Sequence, residues 1–76
     1  MTVKVYSTPT CPYCKMAKEF LTENKIDFED VDLTSDQEAA EALMKKSGQM
    51  VVPQIEINGE ILVGFDEPIL KEKLGL

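Results

Sequence analysis

Val3-Lys4-Val5-Tyr6-Ser7-Thr8-Pro9-Thr10-Cys11-Pro12-Tyr13-Cys14 decides both the fold and the chemistry of this chain. Val3 to Tyr6 alternates and is rich in β-formers, which predicts a first strand. Ser7-Thr8-Pro9-Thr10 is a loop, because Pro9 disfavours helical backbone at Thr8. From Pro12 to about Asn24 the apolar spacing turns helical. Tyr13, Met16, Ala17, Phe20 and Leu21 form one face, and Lys15, Lys18, Glu19 and Glu23 face water.

The remaining elements follow in order. Ile26 to Leu33 reads as a second strand. Its Glu29, Asp30 and Asp32 suit the edge of a sheet. Ser35-Asp36-Gln37-Glu38 is a capping box that opens a second helix. This helix buries Ala39, Ala40, Leu43 and Met44 and ends near Gly48. Gln54 to Ile57 and Glu60 to Val63 are strands joined by the hairpin pair Asn58-Gly59. Asp66-Glu67-Pro68 starts a last helix with Ile69, Leu70 and Leu74 as its apolar face. The order is β-α-β-α-β-β-α. It predicts a parallel β-α-β unit extended by an antiparallel hairpin, with helices on both faces of the sheet.

The totals bound what this sheet can do. The chain has 76 residues, enough for one domain spanning residues 1–76. A chain of this size buries only roughly 60% of its unfolded surface, so a site belongs on the surface or in a shallow groove. An apolar share of 43% and a charged share of 29% are ordinary for a soluble domain. No apolar run approaches the ~20 residues that span a bilayer, so no membrane partner is expected. Met1-Thr2-Val3-Lys4 lacks a signal-peptide core, which makes the cytoplasm the expected compartment. The net charge of −6 would repel DNA or RNA. A monomer is expected.

The two cysteines carry the chemistry. Pro12 fits the first helical position, which places Cys11 at the N-cap. There its sulfur would accept hydrogen bonds from the amides of Tyr13 and Cys14 and sit in the positive end of the helix dipole. Such sites lower a thiol pKa from about 8.5 into roughly the 3.5–7.5 range, so Cys11 is expected to be exposed and largely thiolate. Cys14, three residues on, shares its face, is more buried and keeps its proton longer. Cys11 is therefore the expected nucleophile on a disulfide, and Cys14 resolves the mixed disulfide that forms. With two cysteines and no histidine, one chain cannot supply the four ligands of a structural zinc site. Lys15 and Lys18 add positive charge near the cysteines, or simply form a solvated face.

Tyr6 to Cys14 resembles the active-site segment of dithiol glutaredoxins, and the element order is that of the thioredoxin fold. Val51-Val52-Pro53-Gln54 resembles the family's Thr-Val-Pro segment. Asn58-Gly59 and Gly64-Phe65-Asp66 fall where its hairpin and glycine-aspartate segment lie. The resemblance implies a thioredoxin-like α/β domain, a four-stranded mixed sheet covered by three helices. It implies a thiol–disulfide oxidoreductase that reduces protein disulfides or glutathione mixed disulfides, with glutathione as reductant and no tightly bound cofactor or metal. Pro53 would be a cis-proline facing the cysteines, aiming the Val52 backbone at an extended peptide or glutathione. Gly64, Phe65 and Asp66 would border the groove and hold the γ-glutamyl end of glutathione. Tyr13 and Thr8 would flank it. Plainer roles coexist: strand start for Val52-Pro53, helix cap for Asp66, helix surface for Tyr13.

The departures from the family pattern are informative. Many glutaredoxins have a lysine where Thr8 stands, and two glycines followed by Cys or Ser where Val63, Gly64 and Phe65 stand. Gly64-Phe65 is closer to the NrdH-like electron donors of ribonucleotide reductase, which thioredoxin reductase recharges. Those proteins usually lack the Pro-Tyr pair. Thioredoxin reductase is thus the alternative donor. A further alternative is an iron–sulfur cluster shared between two subunits through the first cysteine. Its carriers more often have Gly-Phe-Ser after that cysteine, and Pro12-Tyr13 argues against it.

Overall fold

The computed structural model describes residues 2–49 and 51–76. Four strands and three helices alternate as β1 (Val3–Ser7), α1 (Pro12–Glu23), β2 (Glu29–Asp32), α2 (Gln37–Ser47), β3 (Gln54–Ile57), β4 (Glu60–Val63) and α3 (Glu67–Leu74). The sheet order is β2-β1-β3-β4. β1 runs parallel to β2 and antiparallel to β3, and β3 is antiparallel to β4. This is the mixed four-stranded, three-helix architecture expected from the sequence, with the acidic β2 on the edge.

Alternation along β1 and β3 divides the core into two layers. Val3, Val5, Ile55 and Ile57 meet Ala17, Phe20 and Leu21 of α1 and Leu70 and Leu74 of α3. On the opposite face Tyr6 and Val31 meet Leu43 of α2. Glu56 also points to that second face, where it is almost fully buried and Lys46 donates to its carboxylate at 2.7 Å. Among the described residues no helix is long and apolar enough to cross a membrane.

Several local expectations are corrected. β2 begins at Glu29 rather than Ile26. The preceding residues close α1 instead: Ile26 donates its amide to the Leu21 carbonyl at 2.9 Å, Lys25 to that of Thr22 at 3.0 Å, and Lys25 takes φ 58°. This is a Schellman stop, and it uses the backbone that a longer strand would need. The cap of α2 is Asp36, whose Oδ1 accepts from the Ala39 amide at 3.0 Å. Ser35 is spent one residue earlier, in a turn whose amide donates to the Asp32 carbonyl at 3.2 Å.

The helix faces are also narrower than periodicity alone predicts. In α1 the buried residues are Cys14, Ala17, Phe20 and Leu21, while Tyr13 and Met16 are 62% and 48% exposed. In α2 only Leu43 is fully buried, Ala39 and Ala40 are half-buried, and Met44 is exposed. In α3 Ile69 is exposed. In a domain this small, each helix has room to bury about one residue per turn.

Leu21 sits in the α1 layer with no exposed surface. Leu21→Ala is expected to cost about 2–5 kcal/mol, a large part of the ~5–15 kcal/mol that holds a typical domain together. Urea unfolding followed by circular dichroism measures the loss as a lower midpoint.

Candidate active site

The site is built where β1 runs out. Ser7 ends the strand, Thr8-Pro9-Thr10 turns, and the Cys11 amide donates to the Thr8 carbonyl at 3.4 Å. Cys11 has extended backbone, φ −97° and ψ 110°, and stands at the N-cap of α1 with Pro12 as the first helical residue. Pro12 has no amide to satisfy and brings a preset φ, so it fits this position. The Cys14 amide donates to the Cys11 Sγ at 3.1 Å. Sequence alone suggested the Tyr13 amide as a second donor; the bond present is the one from the third helical residue, Cys14.

The two thiols are free and unequal. Cys11 is half-buried rather than exposed as expected, because it lies against the β1–α1 loop at the end of the groove, and Cys14 is 1% exposed. Burial, then a hydrogen bond with the Cys11 sulfur, pushes the Cys14 thiol up to about 11 from 9.0. The Thr8 backbone amide and Lys18 pull in the opposite direction but are outweighed. The accessible sulfur is therefore the one that faces a main-chain N–H and the positive end of a helix. Its partner is dry and protonated at neutral pH.

The sheet brings most of the other expected site residues to the same end. Tyr6 pairs with Gln54, so the residue before Gln54 lies level with the end of β1. That residue is Pro53, fully buried, and the Val52-Pro53 bond is cis. Gly64 donates its amide to the Pro53 carbonyl at 2.8 Å. Gly64 holds φ 87°, a conformation that side chains disfavour. Two residues on, Asp66 caps α3 through Oδ1, which accepts from the Ile69 amide at 3.5 Å. Phe65 turns inward, its ring 6.0 Å from that of Phe20 and edge-on at 61°. Thr8 is half-buried beside Cys11, and Tyr13 projects into solvent.

Two features escaped the sequence reading. The first is a groove of about 500 Å³ that contains Cys11 and Thr8 but none of Tyr13, Val52, Pro53, Gly64, Phe65 or Asp66. It runs along α1 past Lys15, Lys18, Glu19 and Thr22. The signal was present as polar residues at helical spacing from Cys11. The second is Gln54, which is fully buried. Its Nε2 donates to the carbonyls of Gln49 and Val51, each at 2.8 Å, and so ties down the segment before Pro53. Nothing in the sequence distinguishes this glutamine from an ordinary strand residue.

A free cysteine capping the first helix of a β-α-β-α-β-β-α sheet, with a second cysteine one turn inside, defines a thioredoxin-fold thiol–disulfide oxidoreductase. The chain belongs to the glutaredoxin family, whose model, described as Glutaredoxin, matches residues 3–62. It is 48% identical over 65 residues to an uncharacterised glutaredoxin-like 8.6 kDa protein in the rubredoxin operon of Clostridium pasteurianum, covering 86% of this chain and 87% of that one. It is 34% identical over 65 residues to glutaredoxin 3 of Escherichia coli strain K12, covering 86% and 78%. Among solved structures, the thioredoxin-like protein BC3987 superposes with a TM-score of 0.89 at 32% identity, covering 95% of this chain and 99% of that one.

The raised Cys14 thiol has a stability consequence of defined sign. Its proton is held more tightly in the folded state than in the unfolded one. The resulting stabilisation is complete below about pH 9 and is lost as pH rises toward about 11. Unfolding midpoints measured by circular dichroism across this window are expected to fall in the dithiol protein. They should fall less in Cys14→Ala. In the same range, Cys14 alkylation should rise steeply, whereas at neutral pH iodoacetamide should modify Cys11 alone, as read by peptide mass mapping.

Proposed function

We propose that this chain reduces protein disulfides and glutathione mixed disulfides through its Cys11/Cys14 dithiol, as a monomer in the reducing cytoplasm, and is recharged by glutathione. The observation that carries this reading is the 3.1 Å bond from the Cys14 amide to an accessible Cys11 sulfur, combined with the burial of Cys14.

The steps follow from that geometry. The Cys11 thiolate attacks one sulfur of the substrate disulfide. The substrate S–S bond breaks, and one thiol leaves with a proton from solvent. Cys11 is now in mixed disulfide, and its sulfur no longer carries charge. Cys14 gives up its proton and attacks the Cys11 sulfur, which releases the second substrate thiol. Two electrons and two protons have then passed to the substrate, and a Cys11–Cys14 disulfide remains. Two glutathione molecules restore the dithiol and leave as glutathione disulfide. The buried, protonated state of Cys14 keeps it from competing for substrate before Cys11 has reacted. The sheet register and the Gly64–Pro53 backbone link support Val52, Pro53, Gly64, Phe65 and Asp66, with Thr8 and Tyr13 at the rim, as the glutathione-facing groove.

A second reading keeps the chemistry and replaces the donor by thioredoxin reductase. Two observations favour it: Thr8 supplies no ammonium for a glutathione carboxylate, and Phe65 packs on Phe20. NADPH oxidation separates the donors, with glutathione plus glutathione reductase in one assay and thioredoxin reductase in the other. In either assay Cys11→Ser should fall to the protein-free background. Cys14→Ser should lose reduction of protein disulfides and keep only deglutathionylation, which needs one thiol and free glutathione. Full turnover by Cys11→Ser would remove the dithiol reading altogether.

A further inference from the structure

We infer that the groove along α1 seats a polypeptide substrate, an extended segment with an acidic residue beside the reacting cysteine and a basic residue further along. The inference rests on the proposal that Cys11 attacks disulfides, and it names the class of substrate that Cys11 meets on this flank.

The groove begins at the nucleophile. Cys11, Lys15, Lys18, Glu19, Thr22 and Glu23 line it as one stripe of α1. At a rise of 1.5 Å per residue the stripe is about 18 Å long. An extended chain advances about 3.3 Å per residue, so the groove matches five or six residues and exceeds a tripeptide. Its charges are ordered. Lys18 is neutralised by Asp30 at 3.0 Å, and the Ser7 hydroxyl donates to the same carboxylate at 2.9 Å. Lys15, Glu19 and Glu23 are exposed, and none of them makes an ion pair among the described residues. A free cation therefore lies about 6 Å from Cys11 along the helix, and free anions about 12 and 18 Å away.

This order selects its complement. A segment whose cysteine is bonded to Cys11 passes Lys15 about two residues later and Glu19 about four residues later. An acidic residue at the first position and a basic residue at the second would pair with the groove. The reverse order would place like charges against each other.

Two peptides of equal net charge test this. One is Arg-Ala-Asp-Ala-Cys-Ala-Asp-Ala-Arg, and the other exchanges Asp and Arg. Their symmetry makes the direction of docking irrelevant. Each is joined through its cysteine to thionitrobenzoate. When the Cys11 sulfur bonds the peptide sulfur, that S–S bond breaks and the coloured thiolate leaves. Rates with dithiothreitol, which has no groove, are divided out to remove the intrinsic effect of neighbouring charge on the disulfide. The Asp-proximal peptide is expected to react roughly twofold to thirtyfold faster, the range for two exposed ion pairs. The preference should shrink in 1 M salt, where screening acts within about 3 Å. It should invert in the double variant Lys15→Glu, Glu19→Lys. Both peptides reacting equally, or a preference unchanged in the double variant, overturns the groove assignment and leaves the dithiol reading standing. Neither peptide reacting overturns the dithiol reading itself.

Discussion

A single main-chain amide aimed at a sulfur organises this molecule. The Cys14 N–H points at the Cys11 Sγ because Cys14 is the third residue of α1 and Cys11 is its cap. This alignment requires Pro12 to start the helix at a fixed place. It also requires β1 to deliver the chain to that place, and the face formed by Cys14, Ala17, Phe20 and Leu21 to hold the helix flat on the sheet. The same arrangement buries Cys14 beside the Cys11 sulfur. One helix start thus puts the two thiols in different surroundings, in a chain without histidine.

Most of the architecture was legible because strong local signals coincide with tertiary demands. Asn58 at φ 51° and Gly59 at φ 90° form the turn that their sequence demands, so β3 and β4 keep their expected bounds. Gly48 at φ 72° stops α2 where expected. Errors arose where two local devices competed for one segment. Ile26 had the apolar character of a strand residue, and the closing of α1 claimed its amide. The capping box put the cap at Ser35, and the turn on Asp32 took the serine and left the cap to Asp36. Tyr13 and Met16 lie close to the buried arc of α1, and whether they fall inside it depends on the tilt of the helix on the sheet. Periodicity does not encode that tilt.

The site was legible at the cysteines and less so around them. The Cys-x-x-Cys spacing carries its own chemistry, whereas Pro53, Gly64 and Asp66 acquire meaning only through sheet register, which brings distant residues to the end of β1. The groove along α1 was hidden for the opposite reason. Its α1 residues recur at helical spacing and look like any solvated helix face until Thr8 and Pro9 of the β1–α1 loop are seen to line the same groove. The two flanks of Cys11 differ: Lys15, Glu19 and Glu23 along α1 are exposed, whereas on the other side Pro53 is buried and Phe65 packs on Phe20.

Gln54 extends this reasoning to chain length. Its buried amide captures the carbonyls of Gln49 and Val51 from inside the sheet, which fixes how many residues lie between Gln49 and Pro53. An insertion after Gln49 would pull one of those carbonyls off its buried donor. The stretch just before it keeps a count of its own: the Ser47 Oγ accepts from the Gln49 amide at 3.2 Å and donates to the Gln49 carbonyl at 3.1 Å, so Gly48 is the one residue between the end of α2 and Gln49.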